Sequence, residues 1–380
     1  MKNKYKLGII GFGGFGNFLY NAWSALDRVE IVSVADSRSQ TLPSGKIRFY
    51  DNWKRLISDE RIAIIAIATP PSSHVEIACA AMEAGKHVII EKPIALSIAD
   101  AREIISIRDK TDMRATVDYM LRFNPIVDVL TEWNKSLPFG TLRRVVVENY
   151  AQDESLNAEH WFWDKNISGG IFIEHGTHFF DLISHISGSE PQQVTGTGTN
   201  RNSKQADRAL ANVKYKNGLL ATFYHSFARP GIFEDTSIRL IYDLAQIEIN
   251  GWIPLSGKIN ALVNDSSIEE LTNIPNLSII ERQPIREIKD ESRPKGWGSV
   301  VTKKSGNSDK IKSGGIEYEV REMIKATFKL SDNKTEVYSG SLKKLLLDFI
   351  QSIDDPKHRQ AVTLEDGINS LGTAILASSV

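Results

Sequence analysis

Residues 6–16 read KLGIIGFGGFG. A short aliphatic run, the pattern of a buried strand, ends in Gly11, Gly13 and Gly16 at the spacing G-x-G-x-x-G. The residues that follow, to about position 26, predict a helix. Between a strand and a helix each glycine has a separate use. Gly11 permits a tight turn, Gly13 lets a pyrophosphate approach the backbone, and Gly16 lets helix and strand pack closely. Phe12, Gly14 and Phe15 complete the loop, whose free N–H groups and positive helix end suit phosphates. A plain glycine turn has the same spacing. The dinucleotide reading is favoured because no P-loop lysine follows and because EIVSVAD (30–36) ends in an acid twenty residues beyond Gly16. Asp36 would accept hydrogen bonds from adenosine ribose hydroxyls, which favours NAD over NADP. Ser37 and Arg38 leave NADP possible, since an arginine there can hold a 2′-phosphate or stack on adenine.

Outward from this loop, strands and helices alternate. IAIIAIA (62–68) leads to a helix near 73–84, HVIIE (87–91) to another near 97–110, and ATVDYM (115–120) reads as a further strand. The strands are continuously apolar, as in a parallel sheet covered on both faces. Residues 1–122 are therefore expected to form a doubly wound α/β domain.

Beyond Pro125 the texture changes. RRVVVENYA (143–151), QVTGTGTN (193–200), ANVKYKNGLLATFYHSFA (211–228) and TSIRLIYDLAQIEING (236–251) read as longer strands, with a hairpin turn at KNG (216–218). One helix is expected near 170–187 and two more at 342–353 and 363–379; residues 295–315 read as a mobile loop. Residues 123–380 are thus expected to be an α+β domain with a mainly antiparallel open sheet. Its apolar strands outnumber the helices that would cover them, which predicts a dimer or tetramer.

The 380 residues suffice for two domains. Hydrophobic residues make up 41% and charged residues 24%, an ordinary globular composition. A net charge of −1 argues against nucleic-acid or anionic-membrane partners. The single cysteine, Cys79, excludes an intramolecular disulfide and reads as a buried thiol. MKNKYKLGIIGFGG reads as a first strand rather than a signal peptide. The longest apolar run, Ile62 to Ala68, is far short of the roughly 18 residues of a membrane span. A cytoplasmic location is the expectation.

Ligands of doubly wound sheets bind outside the carboxyl ends of the strands. In ATPPSSHVE (68–76) that places Thr69, Pro70 and His74 near the cofactor, although His74 equally suits a helix start. In VIIEKPIAL (88–96), Glu91 and Lys92 stand at the next strand end, and Pro93 fixes the backbone in an extended or cis form. Lys92 is expected to point into the cleft, to pair with Glu91 or a substrate oxygen. In SGGIFIEHGTHFFDLISHISG (168–188), Glu174, His178, Asp181 and His185 share one face of an otherwise apolar helix. Glu174 with His178, or His175 with His178, is spaced for a metal ion, but no third ligand is marked and no metal is expected.

GFGGFG, Asp36, ATPPSSH, EKP, LRFNP (121–125) and GG-x-x-x-E-x-G-x-H-x-x-D (169–181), in this order, resemble the Gfo/Idh/MocA oxidoreductases, the glucose–fructose oxidoreductase and inositol dehydrogenase superfamily. The resemblance implies an N-terminal Rossmann domain, a C-terminal sheet domain that often makes the oligomer interface, and an active site between them. It implies hydride transfer between nicotinamide and a secondary hydroxyl of a sugar, cyclitol or related polyol. Lys92 matches the lysine of EKP and His178 the histidine of G-x-H-x-x-D. His178 is then the general base, and Lys92 holds the reacting oxygen. The family usually has aspartate where this chain has Glu174, which is expected to orient His178 or bind a neighbouring hydroxyl. Arg122, His160, Trp161 and Trp163 are candidates for the substrate wall, but Arg122 better suits a bridge between the domains and the tryptophans better suit the core. A glycoside-cleaving enzyme with catalytic, tightly bound NAD and a non-enzymatic sugar sensor remain alternatives on the same fold.

Overall fold

The structure is a computed structural model that describes residues 4–287, 303–305 and 308–378, apart from 40, 44 and 155. The first unit runs β1 (Tyr5–Ile10), α1 (Gly14–Trp23), β2 (Val29–Ala35), β3 (Arg48–Tyr50), α2 (Trp53–Ile57), β4 (Ile64–Ile67), α3 (His74–Glu83), β5 (His87–Ile90), α4 (Ile98–Thr111) and β6 (Ala115–Val117). Its six strands are all parallel in the order β3-β2-β1-β4-β5-β6. The sheet order reverses on either side of β1 and β4. That creates the crevice above their carboxyl ends where ligands of such sheets bind. Continuous burial of Ile64 to Ile67 and of Val88 to Ile90 follows from helices covering both faces.

α5 (Pro125–Ser136) then leads into a nine-stranded sheet. Asn124 caps this helix by accepting from Ile126 N at 2.9 Å, and Pro125 takes the first helical position. The following elements are β7 (Leu142–Gln152), α6 (Lys165–Ser168), α7 (Thr177–Ser187), β8 (Pro191–Asn200), β9 (Ala206–Tyr215), β10 (Leu220–Arg229), β11 (Asp235–Tyr242), β12 (Ala245–Asn250), β13 (Ser256–Val263), α8 (Asp265–Leu271) and β14 (Ser278–Pro284). β15 (Lys303–Ser305), β16 (Ser308–Ser313), β17 (Ile316–Val320), β18 (Glu322–Lys329), α9 (Lys334–Asp354) and α10 (Leu364–Ser378) complete the chain. The large sheet runs β14-β18-β13-β12-β11-β7-β10-β9-β8 and is antiparallel except where β7 meets β10.

Four details differ from the sequence expectations. The run 236–251 is not one strand but the hairpin β11–β12, which turns at Asp243 and Leu244. Of the expected loop 295–315, residues 295–302, 306 and 307 lie outside the described residues, and 308–313 form β16. β16 pairs with β17 across Gly314 and Gly315, whose φ of 58° and 86° make the two-residue turn. The outer face of the large sheet is not bare apolar surface, because Arg144, Glu148, Arg239, Lys258 and Lys325 alternate with its buried positions. Finally, α9 and α10 return to the first unit. Trp23 Nε1 donates to Leu342 O, Thr116 Oγ1 to Val362 O, and Arg108 pairs with Glu365. The last two helices thus pack against the first unit as well. Among the described residues no helix is long and apolar enough to cross a membrane.

Candidate active site

A cavity of about 1150 Å³ lies over the carboxyl ends of β1, β2, β4 and β5 and reaches the second unit. Asp36, Arg38, Trp53 and Lys54 line one end; Lys92, His160, Trp161, Glu174 and His178 line the other. The glycine loop forms its floor.

Local sterics explain that loop. Gly11 has φ +88°, and a Cβ there would lie 2.5 Å from Ala68 O. A Cβ on Gly16 would lie 2.0 Å from Gly11 O, so helix and strand could not close. Gly13 and Gly14 line the cavity, and a Cβ on Gly14 would meet nothing within 4 Å. That open space is room for a ligand against bare backbone. The first turn of α1 has no acidic residue and no side-chain cap, so its N–H groups are left for an anion. Asp36 Oδ2 accepts from Phe12 N and Oδ1 from Arg38 N, both at 2.9 Å. The carboxylate is thereby fixed at the cavity edge, and the 78% exposed Arg38 side chain keeps its Nε 3.7 Å from Asp36 Oδ1. These residues fit a dinucleotide: phosphates on the loop and a ribose on Asp36. Its nicotinamide would then reach the Lys92 end.

At that end Lys92 Nζ donates to Glu174 O and to Glu174 Oε1, each at 2.7 Å. The pair is only 12% and 15% exposed. Lys92 thus pairs with Glu174 rather than Glu91, which instead accepts from Lys92 N at 3.0 Å. The Lys92–Pro93 peptide is cis. Glu174 lies in a π-helical turn, Phe172–Gly176, that precedes α7. The wider turn breaks the expected single polar face. Glu174, His175 and His178 line the cavity, whereas Asp181 is buried away from it against Arg122. His178 packs between Tyr119 and Trp252, with ring centroids at 6.3 and 6.0 Å, and its Nδ1 is buried without a partner. Burial, then the Lys92 charge and His175, hold its pKa well below 6.5. Burial and Lys92 likewise lower His175 to about 3. Both rings are neutral at physiological pH.

Several expected site residues are placed elsewhere. Glu174 is bound to Lys92, not to His178. Arg122 does not line the cavity. Its guanidinium forks onto Asp181 at 2.9 and 2.6 Å, reaches Ala361 O at 2.7 Å and pairs with Asp366 at 3.0 Å. Trp163 faces inward against Phe162, Ile171 and Phe227, because a 3-10 turn sends Trp161 and Trp163 to different sides. His74 is buried, with Nδ1 facing Pro93 O at 2.8 Å and Nε2 facing Thr69 O at 2.9 Å, so it ties two strand ends together. The Phe12 side chain is core, and only its backbone serves the loop. Thr69, Pro70, Ser37 and Phe15 line the cavity. Trp252, from the turn after β12, and Tyr338, from α9, also line it and carry no local motif. Among the described residues no group of three His, Cys, Asp or Glu side chains is arranged to hold a metal ion.

The parallel sheet, its glycine loop and the Asp36 clamp define a nucleotide-binding oxidoreductase fold with a second, antiparallel domain closing the cleft. Residues 5–119 match the model of the oxidoreductase family with an NAD-binding Rossmann fold, and residues 131–248 match the GFO/IDH/MocA C-terminal domain. The chain belongs to the Gfo/Idh/MocA oxidoreductase family. It is 25% identical over 259 residues to a myo-inositol 2-dehydrogenase of Thermotoga maritima, covering 65% of this chain and 72% of that one. It is 24% identical over 218 residues to a UDP-N-acetylglucosamine 3-dehydrogenase of Acidithiobacillus ferrooxidans, covering 57% and 65%. The chain thus spans roughly two thirds of the length of these curated relatives. An oxidoreductase domain protein from Kribbella flavida superposes with a TM-score of 0.72 at 18% identity, covering 100% of this chain and 97% of that chain. A myo-inositol 2-dehydrogenase from Lactobacillus plantarum gives 0.70 at 17%, covering 99% and 96%.

Proposed function

We propose that this protein is an NAD-dependent dehydrogenase that oxidises a secondary hydroxyl of a sugar, cyclitol or related polyol. The observation that carries the reading is the meeting of Lys92 and His178 at the cavity end opposite Asp36. When bound, the cofactor supplies a hydride acceptor for the carbinol carbon. Lys92, aimed by Glu174, donates a hydrogen bond to the reacting oxygen and stabilises developing alkoxide. His178, neutral because it is buried beside a cation, takes the hydroxyl proton. Trp161 offers an aromatic face to the C–H side of a ring. Between residues 150 and 185 the only Lys or Arg is Lys165, which disfavours a multiply phosphorylated substrate. A panel of polyols followed at 340 nm with NAD tests the reading.

The state of His178 sets the pH dependence. A base works above its pKa, and this one lies well below 6.5. Accordingly kcat/KM for the polyol, at saturating NAD, is expected to stay flat as pH falls through 6.5 and to drop only at more acid pH. A measured acid limb centred at or above 6.5 would assign the base elsewhere.

Cofactor preference follows from Asp36. A 2′-phosphate beside this carboxylate meets like charge, a penalty of about 1–3 kcal/mol, or roughly 5- to 150-fold. Fluorescence titration is expected to show tighter binding of NADH than NADPH. The reverse order would mean that Arg38 dominates.

The proposal extends to assembly, a homodimer or homotetramer through the outer face of the large sheet, supported by the family likeness. Light scattering that finds a monomer at micromolar concentration contradicts it.

A further inference from the structure

Beside Lys92 the cleft holds two carboxyl groups that the proposed chemistry does not use. Glu91 follows β5 and Asp118 follows the adjacent strand β6. The register Ile90↔Val117 sets them side by side, and Asp118 N donates to Ile90 O at 2.8 Å. The shared register turns both side chains to one side of the sheet, where each carboxyl acts on the other. Two ionised carboxylates side by side in a buried site repel each other, which favours one shared proton. Asp118 is 2% exposed, and its Oδ1 is buried with no other donor facing it. Glu91 lines the cavity, so the pair is linked to the cleft through one member.

The surroundings fix its charge. Lys92, on the loop after β5, attracts both carboxylates. Its ammonium is already paired with Glu174. Tyr338, from α9, faces both groups, and burial and their charges keep its hydroxyl protonated. His175 and His178 are neutral, and burial lowers the pKa of His74. Burial and the neighbouring Asp118 push Glu91 well above the usual carboxylate range, and burial raises Asp118 to about 6.

We infer that Glu91 and Asp118 form a proton-coupled countercharge that distinguishes the two redox states of the cofactor. With the cleft empty, or with a neutral reduced ring in it, the pair keeps its shared proton. A positively charged oxidised ring at the Lys92 end favours the doubly charged pair. The O–H bond then breaks, the proton leaves to solvent through the cleft, and no bond of the cofactor changes. Binding of NAD therefore releases protons and tightens as pH rises, whereas binding of NADH does neither.

Calorimetric titration of the full chain with NAD and with NADH, in phosphate and in Tris at about pH 7.5, measures the protons exchanged. The expected result is release of up to about one proton per site with NAD and close to none with NADH. Asp118→Asn removes the neighbouring like charge and sets an amide donor beside Glu91, which lowers the Glu91 pKa, so release on NAD binding should fall. Glu91→Gln should do the same, and either variant suffices if the other does not fold. Equal release with both cofactors, or no release with NAD, overturns the inference. So does release that persists in Asp118→Asn but is lost in Lys92→Met, which would assign the proton to Lys92. If neither cofactor binds, the cofactor reading itself fails and this one with it.

Discussion

His178→Ala is expected to lower kcat by about 10²–10⁴ with little change in NADH affinity, because the imidazole serves the proton and not the dinucleotide. Lys92→Ala is expected to cost about 10²–10³ through loss of a charge-assisted hydrogen bond to developing alkoxide. The double variant should fall well short of the product of the two, since both side chains act on one oxygen. Lys92→Ala also strands the Glu174 carboxylate, which is only 15% exposed. For that reason Glu174→Gln is a needed companion. It keeps the hydrogen bond to Lys92 but removes the charge, and should reduce kcat less than loss of Lys92 does. Steady-state kinetics with cofactor titrations for each variant separate these effects.

Arg122→Ala is expected to destabilise the fold by about 3–5 kcal/mol, because it leaves the buried Asp181 without its cation. The sign of its pH dependence follows from Asp181, whose carboxyl burial already raises to about 6 with Arg122 present. Without the guanidinium the native state would hold that proton more tightly, while the unfolded chain titrates near 3.8. The deficit should therefore grow as pH rises through 6 and shrink in mild acid. Denaturant midpoints at several pH values measure it. If Arg122 instead bound substrate, the loss would appear in KM with little change in midpoint.

The Rossmann half was legible because its signals are local. Gly11 and Gly16 are required by backbone collisions within the loop, and β1, β4 and β5 are buried on both faces. Lys92 could be placed at the cleft because it follows a buried strand directly. The partner of Lys92 was not legible. Glu174 lies eighty-two positions away, and its direction depends on a π-helical turn that residue spacing does not announce. Arg122 and Trp163 stayed open between cleft and interior for a related reason: whether an arginine or tryptophan near a site faces the cleft or the core depends on one turn of local geometry. Trp252 and Tyr338 reach the cavity only because the second sheet and α9 fold back over the glycine loop. Asp118 gave no sign in sequence, since its significance lies in the register of β6 beside β5.

The central claim is that hydride transfer from a polyol hydroxyl takes place at the Lys92–His178 end of the cleft. The most direct test follows absorbance at 340 nm for the wild-type chain and for His178→Ala, with NAD and a panel of cyclitols, sugars and amino sugars. The account predicts that at least one polyol reduces NAD with the wild type, and that His178→Ala loses at least about 100-fold of that rate while still binding NADH. A polyol oxidised at nearly the same rate by both proteins would contradict it.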